Sequence, residues 1–321
     1  MRELVLLLLL IGFGLVFSVL TPVFGTADNL LGMTRYAVEI GLLSLPMTLL
    51  IIAGGIDLSV GSMTALCAVA FGLLWQRGLP PAAAGLLAVV TGVGLGAVNG
   101  AAVTLARIPP LIVTLATLAF YRGVATALSG GRAIHGFPDT VLAWGDGTFG
   151  GIPAQLLVYV AFALVFAVFL ARTRWGRCLY ALGANEAAAR LSGLAVDRLK
   201  FLLYAVSGAL CGVAGLILVA RTTRAKAEGS AVGYELDAIA AAVLGGTNIA
   251  GGAGGIVGTV LGLALIQTLR RGLMMLGPSF PSEVQSVIIG LVLILTVWVD
   301  QWLRPWLVRR REARSRASAV A

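Results

Sequence analysis

Runs of about twenty apolar residues recur along almost the whole chain, separated by short polar segments. A helix needs about this length to cross a bilayer, and inside lipid it satisfies its backbone hydrogen bonds by itself. The strands of a membrane barrel would alternate apolar and polar residues, which these runs do not do. Charged residues make up 12% of the chain, about half the share in soluble domains, so an integral membrane protein is predicted.

The predicted fold is an all-α, polytopic helix bundle that forms a single domain over residues 1–321. The expected spans, about ten, are 4–20, 36–53, 58–75, 82–106, 110–128, 154–171, 201–220, 235–244 with a glycine-rich extension, 253–276 and 284–303. The first also fits a signal peptide, but its long apolar run without a small-residue cleavage motif favours a retained span. Spans 36–53 and 58–75 almost touch, so one of them is expected to be a broken or re-entrant helix.

Membrane orientation accounts for the net charge of +9. Lys and Arg collect in cytoplasmic loops. With the N-terminus inside, the two densest basic clusters, 172–200 and the tail 304–321, both fall on the cytoplasmic side. Both termini are therefore predicted to be cytoplasmic, and nucleic acid is not an expected partner. The three cysteines show no disulfide or metal-ligand spacing, so neither a metal nor a cofactor is expected.

The segment "GANEAAARLSGL", 183–194, is polar where its surroundings are apolar. It predicts a short helix with Asn185 as N-cap, Glu186 in the first turn and Arg190 in the last, at the i, i+4 spacing of an ion pair. Gly193 is expected to end the helix in the left-handed conformation. Because this segment lies within the basic cluster 172–200, the helix is predicted to face the cytoplasm.

One side of this helix carries mostly small apolar residues. The predicted stripe consists of Ala184, Ala187, Ala188, Leu191 and Leu194. A helix of about two turns is marginal in water and needs a surface to lie against. Lipid headgroups are one such surface, but the small side chains favour close docking into a groove of another protein.

Two glycine-rich motifs form an internal repeat, "GGIDLSVGS" at 54–62 and "GGTNIAGGA" at 245–253. Each predicts an unwound point at which a helix restarts, with Asp57 as the cap of the first restart. The two interpretations are a hinge or gate on the solute pathway and simple close packing of helices. The candidate hinge residues are Gly54, Gly55, Asp57, Ser59, Gly245, Gly246 and Asn248. Whether the repeat is parallel or inverted stays open at this point.

Thr114, Thr117 and Tyr121 lie on one face of span 110–128 at i, i+3 and i+7. Their hydroxyl groups are candidates for hydrogen bonds to a polar solute in a pathway. The equally plausible alternative is that the threonines bond back to the backbone of their own helix.

The sequence lacks the residue patterns that several other classes of protein need. The sequence contains no G-x-x-x-x-G-K-[ST] motif, so the chain is not expected to hydrolyse ATP. It also contains no H-E-x-x-H motif, so an intramembrane enzyme is not expected. Most ionisable residues of the predicted spans are expected near span ends, namely Glu39, Arg122, Glu235, Asp237, Arg270, Arg271 and Asp300. Asp57 is the exception, because it approaches a buried break. Ion-coupled carriers usually place such groups within the membrane, which disfavours that class.

The stretches "GANEAAARLSGLAVDRLKFLLYAVSGALCGVAGLIL" and "GYELDAIAAAVLGGTNIAGGAGGIVGTVLG" resemble the membrane permeases of ribose-type sugar ABC importers. "GGIDLSVGS" and "IPPLIVTLATLAFYRG" belong to the same pattern, and the resemblance covers roughly 36–302. It implies a bacterial inner-membrane permease that moves a monosaccharide, or a sugar-like signal such as autoinducer 2, by alternating access. The branched-chain amino-acid permeases are similar, but the form of "GGIDLSVGS" favours sugars.

The resemblance also implies partners and a coupling site. The helix within 183–194 would seat in a cleft of a separate cytosolic ATPase subunit. The residues that would carry the coupling are Asn185, Glu186, Ala187, Ala188, Arg190, Leu191 and Gly193. A sugar-binding protein would deliver solute to the outer side, where the loop 129–153 is a candidate docking surface, and a second permease copy would complete the pathway.

Overall fold

The computed structural model describes residues 2–277, 281, 284–285, 287–292 and 294–295. The helices are α1 Arg2–Leu20, α2 Ala27–Ile52, α3 Val60–Gln76, α4 Pro81–Thr104, α5 Pro110–Ser129, α6 Asp139–Asp146, α7 Ala154–Arg172, α8 Arg174–Ala184, α9 Glu186–Leu191, α10 Val196–Thr222, α11 Tyr234–Leu244 and α12 Ile256–Met275. Two short antiparallel strands, β1 Thr148–Phe149 and β2 Ile152–Pro153, precede α7. The predicted all-α bundle is confirmed for this part of the chain. The basic tail 304–321 and most of the predicted span 284–303 lie outside the described residues.

Seven of the described helices are long and apolar enough to cross a membrane, namely α1, α2, α4, α5, α7, α10 and α12. α3 is apolar but has 17 residues, and α11 has 11, which gives it a length of about 16 Å. The length of α11 is roughly half the thickness of a bilayer core. The predicted span 235–244 is therefore a half-length helix, and the chain needs a second segment to complete that crossing.

The second segment is the stretch 223–233, which returns into the bundle beside α3. Ala225 packs against Gly72 in the C-terminal half of α3, and Ala231 packs against Gly61 in its first turn. Thr223 and Ala231 have left-handed φ angles of 58° and 51°, which turn the chain at both ends of the stretch. This re-entrant segment was not predicted from the sequence.

α2 begins nine positions before the predicted start at 36, because Thr26 caps it. The Thr26 side chain accepts a hydrogen bond of 3.4 Å from the Asn29 N–H. The 26-residue helix passes through Pro46 and is buried almost continuously from Val38 to Ile52. It forms the centre of the bundle, and α7, α10, α11 and α12 pack around it.

α4 and α10 approach each other through glycines. Gly92 and Gly96 on α4 lie against the backbone of Gly208 and Tyr204 on α10, and a side-chain carbon at either glycine of α4 would overlap a carbonyl group of α10. Small residues four apart allow this backbone contact. In lipid, where the hydrophobic effect does not drive helices together, such close packing stabilises their association. The contact fixes the depth of α10 relative to α4.

The end of α2, where the first glycine motif begins, and the loop of the second motif lie at the same end of the bundle. The Gly252 N–H donates a 2.9 Å hydrogen bond to the carbonyl of Ile52, the last residue of α2. Just above this point, the hydroxyl groups of Thr48 on α2 and Thr259 on α12 are 2.7 Å apart. The structure therefore answers the open question: α2 and α11 both run toward a glycine motif at this end, so the repeat is parallel.

Gly92→Ala tests the α4–α10 contact, with Gly94→Ala as the matched control on the same helix. The new methyl group at 92 would overlap the Gly208 carbonyl, whereas an added carbon at 94 meets nothing within 4 Å. Overpacking costs about 1–3 kcal/mol, while Gly→Ala at an open helical position gains up to about 1 kcal/mol. We expect Gly92→Ala to lower the thermal unfolding midpoint of the purified chain and Gly94→Ala to leave or raise it. Equal shifts in both variants would contradict the packing assignment.

Candidate coupling surface and the glycine motifs behind it

α9 is the short helix that the sequence predicted within 183–194. The Asn185 carboxamide oxygen accepts a 3.0 Å hydrogen bond from the Ala188 N–H, which confirms Asn185 as the N-cap. Gly193 has a φ of 81° and ends the turn, also as predicted. The helix is shorter than expected, with six residues from Glu186 to Leu191.

Four charged side chains fix α9 to the start of α10. Arg190 binds Glu186 at 2.9 Å, which confirms the predicted i, i+4 pair, and it also binds Asp197 at 2.9 Å. Lys200 donates to the second oxygen of Glu186 at 2.6 Å. The bonds to Asp197 and Lys200 were not predicted, because they cross the turn between two helices where no local spacing rule applies.

These contacts shift the titration of the two α9 charges. Burial alone would raise the pKa of Glu186, but the hydrogen bonds from Lys200 and Arg190 outweigh it and lower the pKa below the ordinary value of 4.5. The hydrogen bonds to Asp197 and Glu186 raise the pKa of Arg190. Because the folded-state pKa of Glu186 is lowered, its stabilising contribution is complete above the ordinary value and is lost as the pH falls through the lower, folded one.

The outer side of α9 presents apolar side chains to solvent. Leu191 is 91% exposed, and Ala184, Ala187 and Ala188 are exposed beside it. Ala189 faces the opposite way and is buried. Most of the predicted apolar stripe is thus an uncovered surface, while the inward contact is made by an alanine outside that stripe.

Behind α9, the end of α8 touches both glycine motifs. Gly183 lies so close to the Ile52 carbonyl and the Gly252 N–H that a side-chain carbon there would overlap both. The Tyr180 hydroxyl donates a 2.9 Å hydrogen bond to the carbonyl of Gly254. The elbow between α8 and α9 therefore packs directly on the end of α2 and on the loop of the second motif.

α8 was not predicted from the sequence as a helix. The signal was available: Thr173 is an N-cap whose hydroxyl accepts from the Gly176 N–H at 3.1 Å. Leu179 and Leu182 follow at a helical spacing of three residues and are both buried. The surrounding arginines, which were interpreted only as an orientation signal, obscured this pattern.

The second motif is a closed turn. Asn248 accepts from the Ala250 N–H at 3.2 Å and donates from its side chain to the Gly251 carbonyl at 3.1 Å. Gly245 lies against Gly258 of α12, and Gly246 has a φ of 106°. These three residues of the proposed hinge, Gly245, Gly246 and Asn248, therefore shape a turn between α11 and α12.

In the first motif, the predicted role of Asp57 as helix cap is wrong. The N-cap of α3 is Ser59, and Asp57 instead accepts hydrogen bonds from the Ser59 N–H at 3.0 Å and the Ser59 hydroxyl at 2.6 Å. Ser207 of α10 donates to the other carboxylate oxygen at 3.3 Å. Gly54, with a φ of 78°, makes the preceding turn, and Gly55 packs beneath the Tyr204 hydroxyl. Asp57 is fully buried and holds the break against α10.

The polar network extends from Ser59 to α4 and α5. Asn99 donates to the Ser59 hydroxyl at 2.8 Å, and the Tyr121 hydroxyl lies 3.2 Å from the Asn99 oxygen. Thr114 bonds the Pro110 carbonyl at 3.0 Å and reaches the Ile56 carbonyl at 3.4 Å. Tyr121 and Thr114 therefore face the first motif.

Thr117, between them, bonds the Val113 carbonyl of its own helix at 3.0 Å. Two members of the predicted stripe, Thr114 and Tyr121, thus face the first motif, whereas Thr117 bonds the backbone of its own helix.

The placement of Glu39 near a span end is wrong. Because α2 starts at Ala27, Glu39 lies in the middle of that helix and is fully buried. Arg221 at the end of α10 binds both of its carboxylate oxygens, at 2.7 and 2.8 Å, and the Tyr234 hydroxyl donates at 2.8 Å. This pairing compensates the buried charge. Within the described ranges, no three His, Cys, Asp or Glu side chains form a metal-binding group.

Comparison with known proteins assigns the family. Residues 29–297 match the family described as "Branched-chain amino acid transport system / permease component". The chain belongs to this permease family. The permease is 39% identical over 303 residues, covering 92% of its length and 90% of the relative, to the autoinducer 2 import system permease protein LsrD of Klebsiella pneumoniae.

Two further relatives are ribose import permease proteins. The permease is 38% identical to RbsC of Bacillus subtilis over 289 residues, 89% of each chain. It is 38% identical to RbsC of Escherichia coli K12 over 303 residues, 93% of its own length and 92% of that relative. No solved structure matches the permease. The predicted resemblance is confirmed, and the permease is a multi-pass membrane transport component.

Gly183→Ala tests the contact between the α8–α9 elbow and the glycine motifs, with Gly255→Ala as control at the same end of the permease. A methyl group at 183 would overlap the backbone of Ile52 and Gly252, whereas an added carbon at 255 meets nothing within 4 Å. We expect Gly183→Ala to cost about 1–3 kcal/mol of stability, measured by thermal unfolding, and Gly255→Ala to cost little. An unchanged midpoint for Gly183→Ala would show that α8 does not pack there.

Proposed function

We propose that the permease is the membrane-spanning subunit of an ATP-binding cassette importer for a monosaccharide or a sugar-like signal such as autoinducer 2. The names of its relatives, ribose import permease and autoinducer 2 import system permease, support this class of solute. The same relatives favour sugars over branched-chain amino acids as cargo, although the family description names the latter. ATP hydrolysis belongs to a partner subunit.

The observation that carries the proposal is the exposed apolar face of α9. Leu191 is 91% exposed on a helix that Asn185 and the Glu186–Arg190 pair hold rigidly. A leucine fixed in solvent beside three exposed alanines matches a surface that another protein covers. We assign that partner as the cytosolic ATPase subunit, with α9 as the coupling helix.

The packing behind α9 offers a route from the ATPase to the membrane. Movement of α9 would be passed through Gly183 to the end of α2 and the loop that contains Gly252, since backbone contacts there leave no slack. α2 leads into the Asp57 network, and the Gly252 loop leads into α12. ATP-driven movement of two coupling helices, one in each of two permease copies, would then switch the cavity between its outward and inward openings.

The outer side would receive solute from a sugar-binding protein. The loop between α5 and α7 carries α6 and the β1–β2 hairpin, where Trp144 is 60% exposed and Phe149 is 77% exposed. Aromatic side chains of this kind are common contact residues in protein interfaces. This loop is our candidate docking surface for the binding protein.

Leu191→Asp tests the coupling assignment, with Ala195→Asp as the matched control. Ala195 is exposed and lies just beyond α9, where it precedes α10 as the N-cap, a position that tolerates Asp. Burial of one leucine is worth about 2 kcal/mol, so Leu191→Asp should weaken ATPase-subunit binding about 30-fold or more. We expect it to abolish binding-protein-stimulated ATP hydrolysis in the reconstituted complex, while Ala195→Asp retains it. Full stimulation of ATP hydrolysis in Leu191→Asp would reject the assignment of α9 as the coupling helix.

The orientation has its own test. Asn185→Cys, in a chain whose three native cysteines are replaced, is expected to react with a membrane-impermeant thiol reagent in inverted vesicles and not in intact cells. Reaction from the outside would place α9 on the wrong side and reject the proposal. Solute uptake by the permease without any ATPase subunit would favour an ion-coupled carrier or a channel instead.

A further inference from the structure

Two charged side chains lie deep within the helix bundle. Arg122 is the thirteenth residue of the 20-residue span α5, about 18 Å from its inner end and about 10 Å from its outer end. Glu235 belongs to the first turn of α11, and its carboxylate lies against Gly61 in the first turn of α3. Gln76, at the other end of α3, is about 22 Å away along the helix. Both charges are therefore well inside the membrane.

The two charges border the same re-entrant stretch, 223–233, without pairing. The Arg122 guanidinium donates to two backbone carbonyls of the re-entrant stretch 223–233, Ala227 at 2.7 Å and Ser230 at 2.6 Å. Glu235 lies beside the same stretch, because its carboxylate and the Ala231 carbonyl both lie against Gly61. Among the described residues, however, Glu235 forms no ion pair, in contrast to Glu39 and Asp237, whose carboxylates bind Arg221 and Arg270.

Both side chains are half-buried rather than buried. The residues beside them, Gly123 on α5 and Leu236 on α11, are exposed, and Leu236 is 64% exposed. A charged group that faces hydrocarbon at this depth is costly, and such groups almost always face a bundle interior or a water-filled cavity. The exposed surfaces of α5 and α11 beside these charges are therefore unsuited to lipid.

We propose that α5 and α11 form a wall of the water-filled solute pathway, and that Arg122 and Glu235 bind a polyhydroxylated, uncharged solute between them. The guanidinium supplies hydrogen-bond donors and the carboxylate supplies acceptors, and a sugar hydroxyl serves as partner to both. Two opposite charges leave the site neutral, which suits a neutral solute. The inference rests on the proposed transport function and names the site at which that function acts.

The first experiment measures whether this wall is wet. In permease without its native cysteines, assembled with its ATPase subunit in membrane vesicles, Glu235→Cys and Leu236→Cys are treated with a membrane-impermeant thiosulfonate. The control is Leu164→Cys in the middle of α7, where the leucine is 61% exposed. We expect positions 235 and 236 to react about tenfold faster than 164 or more, because a thiol in apolar surroundings does not ionise readily. Equal rates at all three positions would overturn the proposed wall.

The second experiment tests the binding role. Glu235→Gln, in the complete importer, is expected to raise the KM for D-ribose uptake about tenfold or more while binding-protein-stimulated ATP hydrolysis and thermal stability are retained. Asp139→Asn, an exposed carboxylate on α6, is the control and should transport like the native chain. A structural role at the start of α3 would instead lower stability and leave KM unchanged, which would overturn the binding assignment.

The outcomes separate this site from the proposed function. If the native chain takes up neither D-ribose nor autoinducer 2, the proposed substrate class fails, and the labelling still decides where the pathway lies. If the native chain transports D-ribose and Glu235→Gln does so with the same KM, the proposed function stands and the site is rejected.

Discussion

Direct contact between backbones is the constraint on which this structure depends. Lipid tails are as apolar as leucine, so helices in a membrane gain little from hiding apolar side chains from water and must pack closely instead. Glycine permits this at Gly92 and Gly208 between α4 and α10, and at Gly183 between the α8–α9 elbow and α2. Because glycine has no side chain, the backbones of these elements touch directly. No side chains lie between them that could adjust when one element moves. A displacement of α9 would therefore reach the bundle core without being absorbed on the way.

The breaks in the helices are stable because polar groups replace the missing backbone hydrogen bonds. Asp57 and Ser59 do so at the first motif, where side chains of α4, α5 and α10 converge, and Asn248 does so within the second motif. The two motifs are similar in sequence but not in role. The first is a junction of four helices inside the bundle, whereas the second is a local turn that rests on the α8–α9 elbow.

Charged groups inside the bundle fall into two kinds. Glu39 with Arg221 and Asp237 with Arg270 are paired, as buried charges usually are. Arg122 and Glu235 are opposite in sign and border the same re-entrant stretch, yet Glu235 forms no ion pair among the described residues. In the proposed pathway, the guanidinium would offer donors and the carboxylate acceptors to the hydroxyl groups of a sugar. The re-entrant stretch 223–233 makes this arrangement possible, because it places the start of α11 inside the membrane.

The sequence by itself determined the all-α membrane class, most span positions, the permease family and the local form of α9, including its cap at Asn185 and its end at Gly193. These features follow from hydrophobic length and from contacts within four residues, which are visible in a linear pattern. The tertiary structure alone decided what lies far apart in sequence. It placed Glu39 mid-helix against Arg221, turned Asp57 from a presumed cap into a link to Ser207, and folded 223–233 back beside α3. It also made the repeat parallel, through the bond from Gly252 to Ile52. Each of these depends on which helix packs beside which, and local propensity carries no record of that choice.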